Sequence, residues 1–153
     1  MRKETLQGFV HDEASAFFGG LAGNAGLFST ARDVARVYQM LLNGGEIDGQ
    51  RYLSKETCQL FTTEISKISR RGLGFDKPDA DDPKKGNCAP AAPAEVYGHT
   101  GFTGTCAWVD PMNELVYVFL SNRIYPDVTN RKLNQLHIRE RIQGAIYDAM
   151  KKK

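Results

Sequence analysis

Apolar positions recur along this chain at two different spacings. Val34, Val37, Tyr38 and Leu41 lie three or four residues apart, the repeat of one helix face. Thr30 and Asp33 ahead of them have the form of a capping box, and Gly44-Gly45 supplies a stop. The pattern predicts a helix that follows Ser29-Thr30 and ends at Leu42. Asp48-Gly49 reads as the tight turn of a small hairpin or loop. Ser54 is placed to cap a second helix, with Glu56 in its first turn and Cys58 and Phe61 facing inward. Gly72-Leu73-Gly74-Phe75 reads as a short strand. Lys77 to Pro93, rich in Pro, Asp, Lys and Ala, reads as a flexible, solvent-exposed loop.

Beyond that loop the pattern changes to strands. Tyr97–Gly101 and Thr105–Val109 are strand candidates, and Asp110-Pro111-Met112-Asn113 carries turn chemistry. Leu115 to Leu120 is an unbroken apolar run of strand length, which predicts cover on both faces. From Asn130 onward, Leu133, Leu136, Ile138, Ile142, Ala145, Ile146 and Ala149 predict one long amphipathic helix. Helices, then three strands in a meander, then a helix give an α+β layer architecture.

Composition narrows the class only slightly. A chain of 153 residues buries roughly 68–70% of its unfolded surface, enough for a real core. Charged residues at 25% and hydrophobic ones at 41% fit a globular domain. A net charge of +2 from 20 basic and 18 acidic residues gives no electrostatic case for nucleic acid. No 18-residue apolar span is present. Cys58, Cys88 and Cys106 are odd in number and widely spaced, so free thiols are expected. Asp79, Asp81 and Asp82 lack calcium-loop spacing and read as solvated charge. No metal and no cofactor are expected.

The most informative stretch is Gly98-His99-Thr100-Gly101-Phe102-Thr103-Gly104-Thr105. Glycine lets a backbone approach a ligand closely or adopt positive φ, and costs entropy where it does neither. Three glycines beside a strand fit an edge built to receive something; they fit equally a bulged or bent strand. His99 reads either as a tunable charge or as a strand histidine satisfied by a neighbouring carbonyl. Trp108 and Phe119 read as core, and His137 as surface.

Three segments together resemble the C-terminal half of the serine β-lactamase and penicillin-binding-protein family, especially its class-C-like and esterase members. They are Val10-His11-Asp12-Glu13 leading into Gly19-Gly20-Leu21-Ala22-Gly23, then Gly23-Asn24-Ala25-Gly26-Leu27-Phe28-Ser29-Thr30 running into the Asp33-to-Leu42 helix, and Gly98-His99-Thr100-Gly101 followed by Leu115-to-Asn122 and the terminal helix. The first two look most like the modules joined to family-three glycoside hydrolases. The resemblance implies a partial β-lactamase/transpeptidase-like fold: an antiparallel sheet of about three to four strands packed by helices, formed by residues 1–153 as a single C-terminal fragment.

The family's nucleophile sits in an S-x-x-K motif, whose lysine helps take the serine proton. No serine in this sequence has a lysine three residues on; Ser29 is followed by Arg32 and Ser54 by Thr57. A guanidinium does not deprotonate in proteins, so Arg32 is no substitute base. No tyrosine stands in a Y-x-N context. The expectation is therefore a fragment cut after the nucleophile and base elements and silent by itself.

The resemblance implies roles for what remains. His99-Thr100-Gly101 matches the family's K-T-G position with histidine for lysine. Thr100 would hydrogen-bond a substrate carboxylate or polar group, His99 would offer a donor or a tunable charge beside the nucleophile, and Gly101 would let the strand edge approach the acyl group. The backbone N–H of Phe102 would be one oxyanion donor and that of the absent serine the other. His11, Asp12 and Glu13 are adjacent and cannot converge on one metal ion; Asp12, with His11, is expected to cap or brace a loop. Asn24 stands where related sequences often carry histidine. The expected partners are a small-molecule or peptidoglycan-like acyl substrate and the absent N-terminal half of the domain. In the family two N-terminal strands pair alongside the last strand, so without them the chain is expected either to self-associate through the 115–120 edge or to be marginally stable. An extracytoplasmic location follows from the resemblance alone. Two functions stay open: a serine acyl hydrolase, or a non-catalytic ligand-binding or interaction module with a degenerate fold.

Overall fold

The computed structural model describes residues 5–63, 68–79, 81–82 and 86–151. They form two compact units, one ending at Thr30 and one beginning at Ala31.

The first unit is a short helix with a polar tie. Asp12 caps α1 (Glu13–Phe17) by accepting the Ser15 N–H at 2.7 Å, the usual role of an aspartate at this place. That backbone hydrogen bond, with the Ser15 and Asn24 side chains, holds the Asp12 carboxyl below the ordinary carboxylate range. Ser15 is fully buried and donates to the Asn24 carbonyl oxygen at 3.1 Å, while the Asn24 amide donates to Asp12 at 3.3 Å. Chain 12 residues beyond the cap is thereby fastened back to the helix start. Phe9, Phe17, Phe18, Leu21 and Leu27 all remain exposed.

The second unit begins with local structure. Helix α2 (Ala31–Leu42) is followed by the hairpin β1 (Glu46–Ile47) and β2 (Gln50–Arg51). Its loop residues Asp48 and Gly49 both have positive φ, at 53° and 76°, the mirror-image turn that suits strand twist and favours Asp-Gly. Helix α3 (Lys55–Thr62) is capped by Ser54, whose hydroxyl accepts the Thr57 N–H at 3.1 Å. Cys58 turns inward as expected, but Phe61 is 43% exposed and Val37 on α2 is 54% exposed.

A three-stranded antiparallel meander follows, in the order β3 (Tyr97–Thr100), β4 (Cys106–Asp110), β5 (Leu115–Phe119). The expected turn is an Asx turn: Asp110 accepts the N–H groups of Met112 and Asn113 at 2.9 and 3.1 Å. Strand alternation puts Trp108, Cys106 and Tyr117 on one face, where they form the core with Cys88 and Val96. Ile146 packs against this cluster from the terminal helix. The other face carries Tyr97, Val109, Val116 and Val118. Helix α2 lies against β4 and β5 there, and a ladder of edge-on rings runs from Tyr38 through Phe75 to Tyr97. The apolar 115–120 run is thus covered on both faces, although only Tyr117 is buried outright. The arrangement is α+β.

Three sequence expectations are corrected. Residues 72–75 form no strand: the Gly72 N–H donates back to the Phe75 carbonyl at 3.0 Å in a turn, and only Asp76 bridges to β3, at Gly98. The loop from Lys77 to Pro93, of which residues 80 and 83–85 lie outside the described set, is not solvent-exposed throughout. Lys77, Cys88 and Ala89 are buried, because the Ala89 N–H is held by Gln143 at 2.8 Å and Asn87 by Asp76 at the same distance. The terminal helix is not continuous. His137 takes a left-handed conformation, φ 49°, between α4 (Lys132–Gln135) and α5 (Ile138–Met150). Helix α5 turns Arg139, Gln143 and Tyr147 inward, whereas Leu136 and Ile142 are exposed. All three cysteines are free thiols and buried. Among the described residues no helix is long and apolar enough to cross a membrane.

Candidate functional site

The expected His99–Phe102 wall is one continuous stretch at the end of β3 and the start of its turn into β4. The ladder is regular, pairing Gly98 with Trp108, His99 with Ala107 and Thr100 with Cys106, so the bulged-strand reading does not apply. Gly98 is required by packing: a Cβ there would run into the Ala107 carbonyl and the Trp108 ring.

Ladder parity decides what this strand offers outward. The Gly98 N–H and C=O pair with Asp76 at 3.0 and 2.7 Å, on the side of β3 away from β4. In an antiparallel strand the backbone polar groups two residues on face the same way, so the Thr100 N–H and C=O point to that outer edge. Among the described residues no strand pairs with β3 beyond the Gly98 bridge.

His99 is exposed, and its Nδ1 lies 2.7 Å from the Thr100 carbonyl oxygen. A carbonyl only accepts, so Nδ1 is the donor in this contact. The carbonyl contact named as one reading of His99 is therefore present. The neighbouring Thr100 is half-buried.

The turn between β3 and β4 is closed by two hydrogen bonds. The Gly101 N–H donates to the Thr105 carbonyl at 2.8 Å, and the Gly104 N–H to the Gly101 carbonyl at 3.0 Å. Gly104 has φ +101° and lies against the Ser121 hydroxyl, so a side chain there is excluded by conformation and by space. Gly101 C=O and Phe102 N–H belong to one trans peptide and point in opposite directions. Since the carbonyl points into the turn, the Phe102 N–H points out of it.

One contributor was not legible in the sequence. Arg123, four residues after β5, places its Nε 2.8 Å from the Phe102 carbonyl and its guanidinium 4.6 Å from the centre of the Phe102 ring. Its backbone N–H donates to the Thr103 carbonyl at 2.9 Å. The partners lie about 20 residues upstream, and nothing in spacing or composition couples them.

Behind the strand, Asp76 is buried and accepts from Asn87 and the Lys77 N–H at 2.8 and 3.0 Å and from Arg70 Nη2 at 3.1 Å. Burial pushes this carboxyl up, but the Asn87 and Arg70 hydrogen bonds, the Arg70 charge and the Lys77 N–H outweigh it and hold it below the ordinary range. His11 and Asp12 belong to the other unit, where Asp12 caps α1 and His11 is exposed. Among the described residues no group of three or more His, Cys, Asp or Glu is placed to hold a metal ion.

Comparison with known proteins adds a family. The model described as Beta-lactamase matches residues 3–140. Proteins named "Putative D-alanyl-D-alanine carboxypeptidase" in Escherichia coli (strain K12), Salmonella agona (strain SL483) and Salmonella typhi are each 36% identical over 135 residues. Those matches cover 88% of this chain and 31% of each relative, so the chain spans under a third of the relatives' length.

Proposed function

The chain belongs to the beta-lactamase family, and from that premise we propose that it supplies the substrate and oxyanion wall of a serine acyl hydrolase. The reaction is acyl transfer from a β-lactam, an ester or a D-Ala-D-Ala-type amide, with the attacking serine and its lysine contributed by sequence other than these 153 residues. The relatives' name favours the peptide amide. The observation that carries the reading is the outward-facing edge at Thr100, which continues directly into the outward-pointing Phe102 N–H.

The roles follow from that geometry. A substrate backbone lies along the outer edge of β3. The Thr100 hydroxyl donates to its carboxylate, and His99 Nε2 stands as a second polar group beside it. The serine oxygen bonds to the carbonyl carbon while its proton passes to the lysine. The Phe102 N–H, with the serine's own N–H, holds the oxygen that becomes negative. Collapse breaks the bond to the leaving amine or alcohol, which takes a proton, and water then hydrolyses the acyl-serine.

Magnitudes divide the labour. One oxyanion donor is worth about 2.7–4 kcal/mol in a hydrolase, whereas removing the nucleophile costs on the order of a millionfold. The wall alone therefore does not turn over substrate. A non-catalytic ligand-binding module is the second reading, favoured by the absence of S-x-x-K and Y-x-N from this sequence.

The test compares this chain with the longer protein that contains it, using nitrocefin, a p-nitrophenyl ester and a D-Ala-D-Ala peptide. Turnover by the longer protein and none by the chain is the expected result, with Thr100→Val raising KM for carboxylate-bearing substrates. Turnover by the chain alone would refute the division of roles. Binding of the peptide by the longer protein without turnover would favour the second reading.

A further inference from the structure

We propose that Arg123 is the positioning residue of the oxyanion turn: it fixes the direction of the Phe102 N–H without touching substrate. This rests on the functional reading above and names a part of that site which neither the sequence motifs nor the comparisons assign.

The turn's aim is set by few contacts. The Gly101–Phe102 peptide is held from inside by the Gly104 N–H, and both flanking glycines are conformationally loose. The next two carbonyls, of Phe102 and Thr103, both end on Arg123, at 2.8 Å to Nε and 2.9 Å to the backbone N–H. Fixing those two peptide planes fixes φ and ψ at Thr103, and with the Gly104 hydrogen bond on the Gly101 carbonyl they set φ and ψ at Phe102 and so the aim of its N–H. The guanidinium also stacks on the Phe102 ring, itself 64% exposed, so the side chain cannot swing out and drag the backbone with it.

Arginine suits this place because its donors form a rigid fork. While Nε holds Phe102, Nη1 reaches the Val128 and Asn130 carbonyls at 3.3 and 3.4 Å. The fork ties the turn to the segment between β5 and α4. A lysine ammonium carries the same charge but cannot meet Phe102 and both downstream carbonyls while lying flat on the ring.

Two measurements test the assignment. In this chain, Arg123→Met should accelerate amide exchange at Gly101 and Gly104, whose N–H groups close the turn, by about tenfold or more and leave β4 amides unchanged. In the longer protein, Arg123→Met should lower kcat by about 10- to 100-fold with KM changed less than about threefold, as expected when an oxyanion donor is misaimed. Arg123→Lys should recover part of the rate. Unchanged exchange in the turn overturns the clamp. A matched loss in KM, or no difference between the Met and Lys variants, overturns its role in aiming the donor. Absence of turnover in the unmodified longer protein would defeat the functional reading instead, and the exchange measurement would still decide the clamp.

Discussion

Asp76→Asn isolates the anchor behind the candidate site. The substitution keeps shape and removes one charge, and the structure allows its cost to be worked out contact by contact. Every group around the Asp76 carboxylate is a donor: Arg70 Nη2, Asn87 Nδ2 and the Lys77 N–H, with Arg70 Nε 2.9 Å and the more exposed Arg71 Nε 3.8 Å from Oδ1. An asparagine carbonyl oxygen can still accept from Asn87 and Arg70. Its amide group then faces the buried Lys77 N–H and Arg70 Nε, donor against donor. Arg70 Nε keeps the Lys77 carbonyl at 3.1 Å, so the Lys77 N–H bears the loss. A stranded buried donor costs about 1–3 kcal/mol. The Arg70 side chain is 33% exposed, so water recovers much of its lost ion pair, leaving about 1 kcal/mol more. The expected total is about 2–4 kcal/mol, which lowers the melting temperature by roughly 4–16 °C for a chain of this size.

The pH dependence carries a definite sign. A carboxyl depressed in the folded state stabilises above its unfolded pKa, near 3.9, and that contribution is lost as pH falls through the folded value. The gap between wild type and Asp76→Asn should be full at pH 7 and narrow below about pH 4. Urea denaturation at pH 7 and pH 3, with amide exchange at Gly98, measures both effects. A difference below about 0.5 kcal/mol at pH 7, or one undiminished at pH 3, would refute the reasoning.

Two further outcomes are expected. Burial and the Asp76 charge push the Cys88 thiol up to about 12, and burial lifts Cys106 to about 11. Native chain at pH 8 should therefore react with a disulfide reagent far more slowly than unfolded chain. Its stability should fall as pH rises from about 8.5, where unfolded thiols ionise, toward those folded values; a flat profile over that range would contradict the burial argument. Among the described residues β5 pairs only with β4, leaving the apolar 115–120 edge open to a second copy. The isolated chain should elute above its monomer mass in a concentration-dependent way, with slowed exchange in β5, and a monomer at all concentrations would count against pairing.

Where chemistry is local, the sequence was readable. Asp48-Gly49 and Ser54 act through residues within three positions of themselves, and both structures form as expected. The meander was legible because Asp110 builds its own turn between two apolar runs. Reading failed where a distant partner decides. Gly72–Phe75 alternates like a strand, but only Asp76 meets β3. Residues 86–89 look like a polar loop until Gln143, 54 residues later, takes the Ala89 N–H. The terminal apolar stripe predicted an unbroken helix, yet His137 turns left-handed and resets the register. At the site, His99-Thr100-Gly101 stood out by its glycines, whereas Arg123 is a surface-type residue whose partners only the fold supplies.

Helix α5 meets the sheet like a key with three teeth. Arg139 receives the Tyr117 hydroxyl on its carbonyl at 3.1 Å, Gln143 takes the Ala89 N–H at 2.8 Å, and the Tyr147 hydroxyl donates to Asp110 at 2.8 Å. These are successive turns of one face, each engaging a different piece of chain: β5, the loop before β3, and the β4–β5 corner. A helix seated on grease can slide by a turn at little penalty, because one leucine replaces another. This one cannot, since a one-turn slip would unmatch the Gln143 and Tyr147 side chains at once. Alignment of the sheet's two ends is thus stored in hydrogen bonds along a single helix. Variation at exposed Ile142 should leave that alignment alone, while a change at Gln143 should disturb the strand that carries His99.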